Sequence, residues 1–386
     1  MSCGGSKLCR ASNSNLRRAK RSALQADPEP SQKRGMDRIR VPVFEASGDF
    51  RDMHYYSERV SGVRMMKRLL TFLVAVSSAA AFDAAAQEYP ARPVRLIVPY
   101  APGGNVDITA RIIGPTLGEI LGQGIVVDNR AGGGGTTGAN LVARAAPDGY
   151  TLLMGSSGPL SINPVVVPNL PYDPVKDYAP ISRVHVVPLV VLAGQKSGID
   201  SVKEMIERAR ANPGKLTVAS AGTGTTNHFG IELFSAMAGV KVLHVPYKGS
   251  GQALPELLGG QVATMFDQLS SSIGYIRDGR LKALAVAGAK RSALLPNVPT
   301  LDESGLRGYE ASTFIGVLAP AGTPKAVVAR LNAAVRKVME TPAVVEKLRG
   351  LGTEPGSSSP EEFGKTISDE LSKWRTVAKN AGLKFD

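Results

Sequence analysis

Val98-Pro99-Tyr100-Ala101-Pro102-Gly103-Gly104 follows the apolar run at residues 94–98 and leads into an amphipathic, helix-like pattern. Val245-Pro246-Tyr247-Lys248-Gly249-Ser250-Gly251 follows residues 241–245 in the same way. A glycine-rich turn between a strand and a helix lets backbone N–H groups face a ligand, and the N-terminus of the helix favours negative charge. Two such turns in two different lobes predict a cleft that holds an anion from both sides.

Around these turns, short β-rich runs alternate with amphipathic helices, a pattern typical of α/β proteins with parallel strands. Residues 184–191 and 312–318 are two largely apolar strands, which we expect to be the crossings between lobes. Pro188 within the first of them predicts an edge position or a bulge. We predict a hinged α/β clamshell whose last three helices pack back on lobe 1. Lobe 1 is expected to comprise residues 88–190 and 313–386, and lobe 2 residues 191–312.

The first 86 residues have a different character. Residues 1–64 mix charge, Ser and Gly without an apolar period, which predicts a disordered segment. Residues 65–86 are typical of a secretory signal peptide, with a basic head at Met65-Met66-Lys67-Arg68, a short apolar run and a small-residue end at Ala84-Ala85-Ala86. Since a signal must lie at the N-terminus to work, we infer that translation begins at Met65 or Met66 and that residues 1–64 are a non-native extension. The alternative is an unusual extension of the protein itself.

Charge and cysteine usage narrow the class of protein. The net charge of the chain is +13, but residues 1–64 contribute six of these charges and residues 65–86 one, which leaves +6 for the rest. A mild positive surplus suits an exported protein that meets small anions. The rest of the chain has no dense run of Lys and Arg, so we expect no nucleic-acid partner. Both cysteines, Cys3 and Cys9, precede residue 65, so the mature chain has no disulfide framework and no thiolate metal site.

The two glycine-rich turns supply candidate ligand contacts. We expect backbone N–H groups of the first turn to face a carboxylate, with an aromatic ring packed on the ligand. The structural alternative is a tight turn with an Asn cap. Asp107 is expected to serve the helix dipole and the loop, because a carboxylate repels an anionic ligand. The candidates in the two turns are Tyr100, Ala101, Gly103, Gly104, Asn105, Tyr247 and Lys248.

A third glycine-rich segment, Gly133-Gly134-Gly135-Thr136-Thr137-Gly138, matches G-x-G-x-x-G by position. A dinucleotide site also needs an acidic residue at the end of the next strand, and that strand ends in Met154-Gly155-Ser156-Ser157. We therefore reject a nicotinamide or flavin site, expect no cofactor, and interpret the segment as a packing turn. Ser156 and Ser157 lack the spacing of a nucleophile elbow, and they are candidate ligand donors or turn formers.

Residues 219–228 crowd small and hydroxyl side chains between a strand and a helix, which suits a cradle for an anion. Capping of the helix by Thr226 or Asn227 is the alternative. Glu232 lies four residues after His228, so the two are expected to pair as a structural contact. Asp267 ends another strand and is expected to accept a hydrogen bond from a ligand or to serve a helix N-terminus. The candidates in this part of the chain are Thr223, Thr225, Thr226, His228 and Asp267.

Recognisable catalytic and metal-binding motifs are absent from this sequence. It contains no H-E-x-x-H, no Walker A motif, and no paired carboxylates near a histidine. The absence of these motifs does not exclude an enzyme, but no residue pattern indicates a catalytic residue or a metal ligand. The sequence therefore favours a binding protein over an enzyme.

Four segments together resemble the extracytoplasmic solute receptors of the tripartite tricarboxylate transporter family, often called Bug proteins. The resemblance covers nearly all of residues 88–386. It implies a two-lobe, periplasmic-binding-protein-like fold of the Venus-flytrap type, and a role in the periplasm. It also implies that the backbone from Tyr100 to Asn105 helps to hold a carboxylate, partly through water. The segments are Pro99-Tyr100-Ala101-Pro102-Gly103-Gly104-Asn105-Val106-Asp107, Gly222-Thr223-Gly224 with His228, Val245-Pro246-Tyr247-Lys248-Gly249, and Phe266-Asp267-Gln268-Leu269-Ser270.

Such a receptor captures a small organic carboxylate and delivers it to a membrane permease, and we expect this chain to do so as a monomer. Ligands of the family range over di- and tricarboxylates, amino acids and aromatic acids, so the resemblance does not fix the solute. Three alternatives stay open. They are a receptor of the same fold that feeds a two-component sensor, an exported enzyme, and an exported interaction module.

Overall fold

A computed structural model describes residues 89–380 and the single residue Met66. The predicted extension at residues 1–64 and most of the predicted signal peptide lie outside the described residues, and so does Gln87, the first residue after the predicted signal peptide. Met66 is helical and exposed. The account that follows concerns the compact unit that spans residues 85–386.

The strands and helices of this unit alternate as the sequence pattern predicts. The strands are β1 (Val94–Val98), β2 (Ile125–Asn129), β3 (Thr151–Ser156), β4 (Tyr178–Gly194), β5 (Thr217–Ser220), β6 (Leu243–Pro246), β7 (Thr264–Gln268), β8 (Leu281–Val286), β9 (Ser312–Pro320) and β10 (Glu354–Pro355). The helices are α1 (Asn105–Leu121), α2 (Thr136–Ala143), α3 (Asn163–Val166), α4 (Val202–Ala211), α5 (Thr226–Ala238), α6 (Ser250–Gly259), α7 (Leu269–Arg277), α8 (Lys325–Glu340), α9 (Pro342–Gly350) and α10 (Pro360–Asn380).

The strands form one mixed sheet with two halves, in the order β2-β1-β3-β9-β4-β7-β5-β6, and β8 and β10 also pair with β4. In the first half β1 is parallel to β2 and β3. In the second half β5 is parallel to β6 and β7. The α/β two-lobe fold predicted from the sequence is confirmed, and the residue boundaries of the two lobes stay a prediction.

The long strand β4 belongs to both halves of the sheet. Residues 178–188 pair with β9 in the first half, and residues 189–193 pair with β7 in the second. Pro188 lies where β4 changes partners, whereas the bulges against β9 fall between Pro180 and Ser182 and between Arg183 and His185. Of the two predicted alternatives, the bulge is not at Pro188, but a local edge is present. Among the described residues Pro188 pairs only with Ser312 of β9, because β10 pairs with β4 at residues 185–186 and β7 pairs with it only from Leu189. Proline is tolerated where β4 changes partners, because no described strand on that side needs a hydrogen bond from the N–H group that proline lacks.

Each half of the sheet has its own hydrophobic core. In the first half, β1 packs against Ile113 and Leu117 of α1, and against α8 and α9. In the second half, Phe229 and Phe234 of α5 pack with Phe266 of β7. Burial of a large apolar side chain of this kind stabilises the fold by about 1.5–3 kcal/mol.

Helix α10 contributes to both cores, which corrects the expectation that all three C-terminal helices pack on the first lobe. Its N-terminal part places Phe363 against Phe314 of β9 in the first half. Its C-terminal part places Trp374 against Phe229 of the second half, with ring centroids 4.8 Å apart. The apolar side of α10 continues over its whole length, so the helix ties the two halves together.

Three local features complete the fold. The stretch after β3 contains a wide helical turn at Gly158–Ile162 and then α3. Helix α7 has a run of three serines near its start, at residues 270–272. Pro324 occupies the N-cap position of α8, and the hydroxyl of Thr323 donates to the carbonyl of Pro320. Within the described part of the chain, no helix has both the length and the apolar character that a membrane crossing requires.

Candidate functional site

A small cavity lies where the N-termini of α1, α5 and α6 meet, between the two halves of the molecule. The space not filled by atoms is about 350 Å³ including its mouth, but only about 20 Å³ of it admits the centre of a water molecule. The halves are therefore closed upon the cavity. Its lining residues are Tyr100, Gly104, Asn105, Val106, Ser156, Gly158, Ala221, Thr225, Thr226, Asn227, Gly249, Ser250, Gln268 and Thr313.

The first glycine-rich turn brings the start of α1 to the cavity. Gly104 is the N-cap in an extended conformation, and Asn105 is the first helical residue. Asp107 accepts a hydrogen bond from the N–H group of Gly103 at 2.9 Å and pairs with Arg111 at 3.0 Å. Asp107 thus serves the loop and the helix start, as predicted. The first N–H groups of a helix have no partner within it, so those of α1 are available to an acceptor.

The second glycine-rich turn brings the start of α6 to the opposite wall. Gly249 is its N-cap with φ of 148°, a conformation that favours glycine. The hydroxyl of Ser250 donates to Asp267 of β7 at 2.5 Å. The two turns also touch each other, because the N–H group of Ala101 donates to the carbonyl of Lys248 at 3.0 Å.

Helix α5 contributes the third N-terminus. Its N-cap is Thr225, not Thr226 or Asn227, and the Thr225 hydroxyl accepts from the N–H group of His228 at 3.3 Å. The same hydroxyl donates its one hydrogen to the carbonyl of Gly222 at 2.6 Å. Thr225 therefore shapes the wall of the cavity and caps the helix, while Thr226 presents a hydroxyl with no partner among the described residues.

Three buried polar atoms on the cavity wall have no hydrogen-bond partner within the described part of the chain. They are Nδ2 of Asn105, Oγ1 of Thr226 and Oγ1 of Thr313. Buried polar groups in folded proteins almost always have a partner, whether protein, water or ligand. Three unpartnered groups on one cavity, beside three helix N-termini, form a set of donors that suits an anionic or polar ligand.

Tyr100 forms part of the cavity wall and is 8% exposed. Its hydroxyl donates to the carbonyl of Gly134 at 3.2 Å and lies 3.3 Å from the hydroxyl of Ser156. Burial raises the pKa of Tyr100 to about 12, so this side chain is neutral at physiological pH. Tyr100 thus contributes an aromatic surface and no charge.

Asp267 lies behind the cavity wall, is completely buried, and accepts hydrogen bonds from Ser250 and Ser271. Burial raises the pKa of Asp267 to about 6, although these hydrogen bonds oppose the rise. The residues that line the cavity in front of Asp267 are neutral, and no Lys, Arg or His side chain of the described residues lines the cavity.

The predicted pairing of His228 with Glu232 is present, with 3.7 Å between Nε2 of His228 and Oε1 of Glu232. The His228 ring stacks on that of His244 at 4.3 Å. Burial, with the neighbouring His244, lowers the pKa of His228 to about 3, so the ring is neutral near pH 7. Over residues 89–380, no three His, Cys, Asp or Glu side chains come together as a metal site would require.

Six of the residues predicted as ligand contacts line the cavity: Tyr100, Gly104, Asn105, Ser156, Thr225 and Thr226. Eight others do not line it, and local bonds explain several of these positions. The N–H group of Gly103 donates to Asp107, and the hydroxyl of Ser157 accepts from the N–H group of Phe314. Nδ1 of His228 accepts from the N–H group of Gly224. The eight are Ala101, Gly103, Ser157, Thr223, His228, Tyr247, Lys248 and Asp267.

Eight lining residues were not among the predicted contacts: Val106, Gly158, Ala221, Asn227, Gly249, Ser250, Gln268 and Thr313. Gly249, Ser250 and Asn227 lie in segments that the sequence had marked, one or two positions from the chosen residues. Thr313 has no local signal, because it reaches the cavity only through the pairing of β9 with β4.

Comparisons with a family model and with individual relatives point to the same protein family. Residues 109–383 match the family model described as tripartite tricarboxylate transporter family receptor. Protein BugT of Bordetella pertussis is 38% identical over 324 residues, which cover 83% of this chain and 99% of BugT.

Two solved structures share both sequence and fold with this chain. The periplasmic binding protein BugD is 36% identical, with a TM-score of 0.75, and the match covers 77% of this chain and all of BugD. MatC from Rhodopseudomonas palustris, solved with bound malate, is 34% identical, with a TM-score of 0.73, and the match covers 75% of this chain and 99% of MatC.

Proposed function

Since the chain belongs to the tripartite tricarboxylate transporter receptor family, it is a solute-binding receptor, and we propose that its solute is a small organic carboxylate. The observation that carries this proposal is the convergence of three helix N-termini and three unpartnered polar atoms on one cavity. The malate bound to MatC supports the same class of ligand.

The proposed binding mechanism uses neutral donors rather than a cation. Helix N-termini favour a carboxylate through their free N–H groups and their dipoles. A hydrogen bond to a charged group contributes about 1.5–3 kcal/mol net. Several such bonds supply the roughly 8 kcal/mol of micromolar binding after ordering costs. In this proposal Asn105, Thr226 and Thr313 contact the solute through side chains, and Gly104 and Ser250 through the backbone.

Closure of the two lobes is the second part of the proposal. Close backbone contacts join the halves beside the cavity: Gly251 lies against the carbonyl of Pro102, and Gly134 against that of Thr223. A solute enters when these contacts open, and it is enclosed when they re-form. Binding and closure then stabilise each other, since the solute contacts both halves only in the closed state.

We also propose where the receptor acts and what it meets. The signal-like residues 65–86 would direct it to the periplasm, where it delivers its solute to a membrane permease of the tripartite tricarboxylate type. It acts by binding and release, without a chemical step, and as a monomer. Mass spectrometry of periplasmic protein tests the location, and a mature N-terminus near Gln87 is the expected result.

A thermal-shift and calorimetry panel tests the solute class. The acids are malate, succinate, citrate and benzoate, and the controls are their uncharged amides. A ligand at about 100 times its Kd stabilises the protein by about 2.7 kcal/mol. At least one acid should raise the melting temperature while its amide does not. Equal effects of acid and amide, or no effect of any acid, would contradict the proposal.

A further inference from the structure

Asn105 occupies a special place among the lining residues, because its side chain joins the two halves of the molecule. The residue is 3% exposed and is the first residue of α1. Its Oδ1 accepts a hydrogen bond at 2.7 Å from the hydroxyl of Ser270, which belongs to α7 of the second half. Ser270 is also 3% exposed. The other end of the amide, Nδ2, is buried and has no partner among the described residues.

The bond from Ser270 determines which end of the amide is available to a ligand. With Oδ1 bonded to Ser270, the unpartnered end of the Asn105 amide is Nδ2, which carries two N–H donors. A reversed amide would donate to Ser270 and present an oxygen to the cavity, which repels a carboxylate. The Ser270 hydroxyl would then also need another acceptor. The observed orientation is the one that favours an anion.

The backbone at Asn105 is held from the other side as well. The hydroxyl of Thr109 donates to the carbonyl of Asn105 at 2.8 Å, and it lies 2.8 Å from Nε2 of His185 on β4. Since the hydroxyl has only one hydrogen, Nε2 of His185 must be the donor in the second bond. Hydrogen bonds through Thr109 thus link the backbone of Asn105 at the start of α1 to His185 of β4.

We propose that Asn105 is a specificity-determining residue that donates from Nδ2 to a carboxylate oxygen of the solute, and that Ser270 is the positioning residue that fixes its amide. This inference rests on the proposed function, because it names a donor within the same cavity. Ser270 of the second half thus takes part in recognition of the solute, because it orients the side chain of Asn105 in the first half. Solutes with a carboxylate oxygen at this point are favoured over solutes with a donor there.

A double-mutant cycle tests the relation between the two residues. Wild type, Asn105→Ala, Ser270→Ala and the double variant are titrated by calorimetry with malate, succinate, citrate and benzoate. Asn105→Ala should weaken binding by at least tenfold, and Ser270→Ala by about threefold to tenfold. In the Asn105→Ala background, Ser270→Ala should cost less than twofold, because a positioning residue acts only through the group it positions. The melting temperature of each variant without ligand reports on folding separately.

A variant that introduces a negative charge addresses Nδ2 directly. Asn105→Asp keeps the shape of the side chain and an acceptor for Ser270, but it replaces the N–H donors with an oxygen. Binding of the acids should fall by at least a hundredfold. The matched control is Asn140→Asp on α2, where the new carboxylate meets Arg144, the present partner of Asn140. That control adds the same charge at a residue that does not line the cavity, and it should bind within twofold of wild type.

The outcomes separate this inference from the proposed function. Wild-type protein that binds none of the four acids overturns both. If wild type binds an acid and Asn105→Asp binds it equally well, the inference alone is overturned. Equal losses on Ser270→Ala in both backgrounds overturn the positioning role of Ser270.

Discussion

The two glycine-rich turns look equivalent in the sequence but serve different purposes in the structure. The turn before α1 presents Asn105, with a free amide donor, to the cavity. The turn before α6 presents Ser250 to Asp267, and it places Gly251 directly against the carbonyl of Pro102 in the first turn. In the proposed mechanism the first turn offers donors to the solute, and the second turn also closes the cleft. Similar local sequences can therefore carry different parts of one binding mechanism.

A buried carboxylate lies behind each turn, and the two have opposite pKa shifts. Burial would raise the pKa of Asp107, but bonds from Arg111, the N–H group of Gly103 and Asn129 outweigh it and hold the pKa below its usual value. Asp267 has only hydroxyl and N–H donors, so burial raises its pKa to about 6. The charge at the first turn is thus neutralised by an ion pair, while the charge at the second depends on pH.

The largest expected effect comes from Gly251→Ala, which tests whether the second turn closes the cleft. A Cβ atom at this position would lie 1.9 Å from the carbonyl oxygen of Pro102. The open receptor has no such clash, and alanine favours a helix over glycine, so the unliganded protein should fold normally. Calorimetry should show a loss of carboxylate affinity of more than about a thousandfold, or about 4 kcal/mol.

Gly259→Ala is the matched control, since Gly259 lies in the same helix and a Cβ there would meet nothing within 4 Å. It should bind like wild type. Small-angle scattering should show that Gly259→Ala contracts on adding ligand and that Gly251→Ala does not. Equal affinity of the two variants would mean that the second turn is not a closing contact.

The sequence predicted much of this fold because the relevant signals are local. Glycine before an apolar helix pattern predicts the turns at Gly103-Gly104 and Gly249, and both turns lie at the predicted positions. Helix α7 has no such signal at its start, because Ser270, Ser271 and Ser272 have low intrinsic helix preference. Its position after β7 and the burial of Leu269 and Ile273 override that preference.

The fine structure of the cavity could not be predicted in the same way. Asn105 was chosen for its backbone N–H group, but the partner of its side chain, Ser270, lies 165 residues away. Thr313 reaches the cavity only through strand pairing. Conversely, the hydroxyl of Thr225 was predicted to contact a ligand, but it is bonded to the carbonyl of Gly222 and the N–H group of His228. Whether a polar atom is free depends on packing between halves, which no local pattern encodes.

A smaller effect is expected from Asp267→Asn, which tests the pH-dependent carboxylate behind the second turn. Because burial raises the folded-state pKa of Asp267 from its ordinary value of 3.8 to about 6, folded protein binds this proton more tightly than unfolded protein does. The free energy of unfolding should therefore fall as pH rises from about 4 to about 6, by roughly 2–3 kcal/mol. The asparagine variant lacks this contribution and should be the more stable protein at pH 8.

Urea denaturation of both proteins from pH 4 to pH 8 measures the difference. The same carboxylate, once ionised, repels an anionic solute, so wild-type affinity should rise severalfold from pH 8 to pH 5.5. The affinity of Asp267→Asn should change little over that range. Parallel stability curves for the two proteins would show that Asp267 does not titrate in this range.

The smallest effect is expected from Lys248→Ala, although Lys248 is the one Lys or Arg within the second turn at residues 245–251. Its side chain is exposed and does not line the cavity, and its contacts across the cleft are made by its backbone carbonyl. An exposed charge is largely screened at physiological salt, beyond a distance of about 8 Å. Affinity for the carboxylate should change by less than twofold at 150 mM salt, as measured by calorimetry. A tenfold loss would instead place the ammonium group on the solute, and the second turn would then bind by charge as well as by closing the cleft.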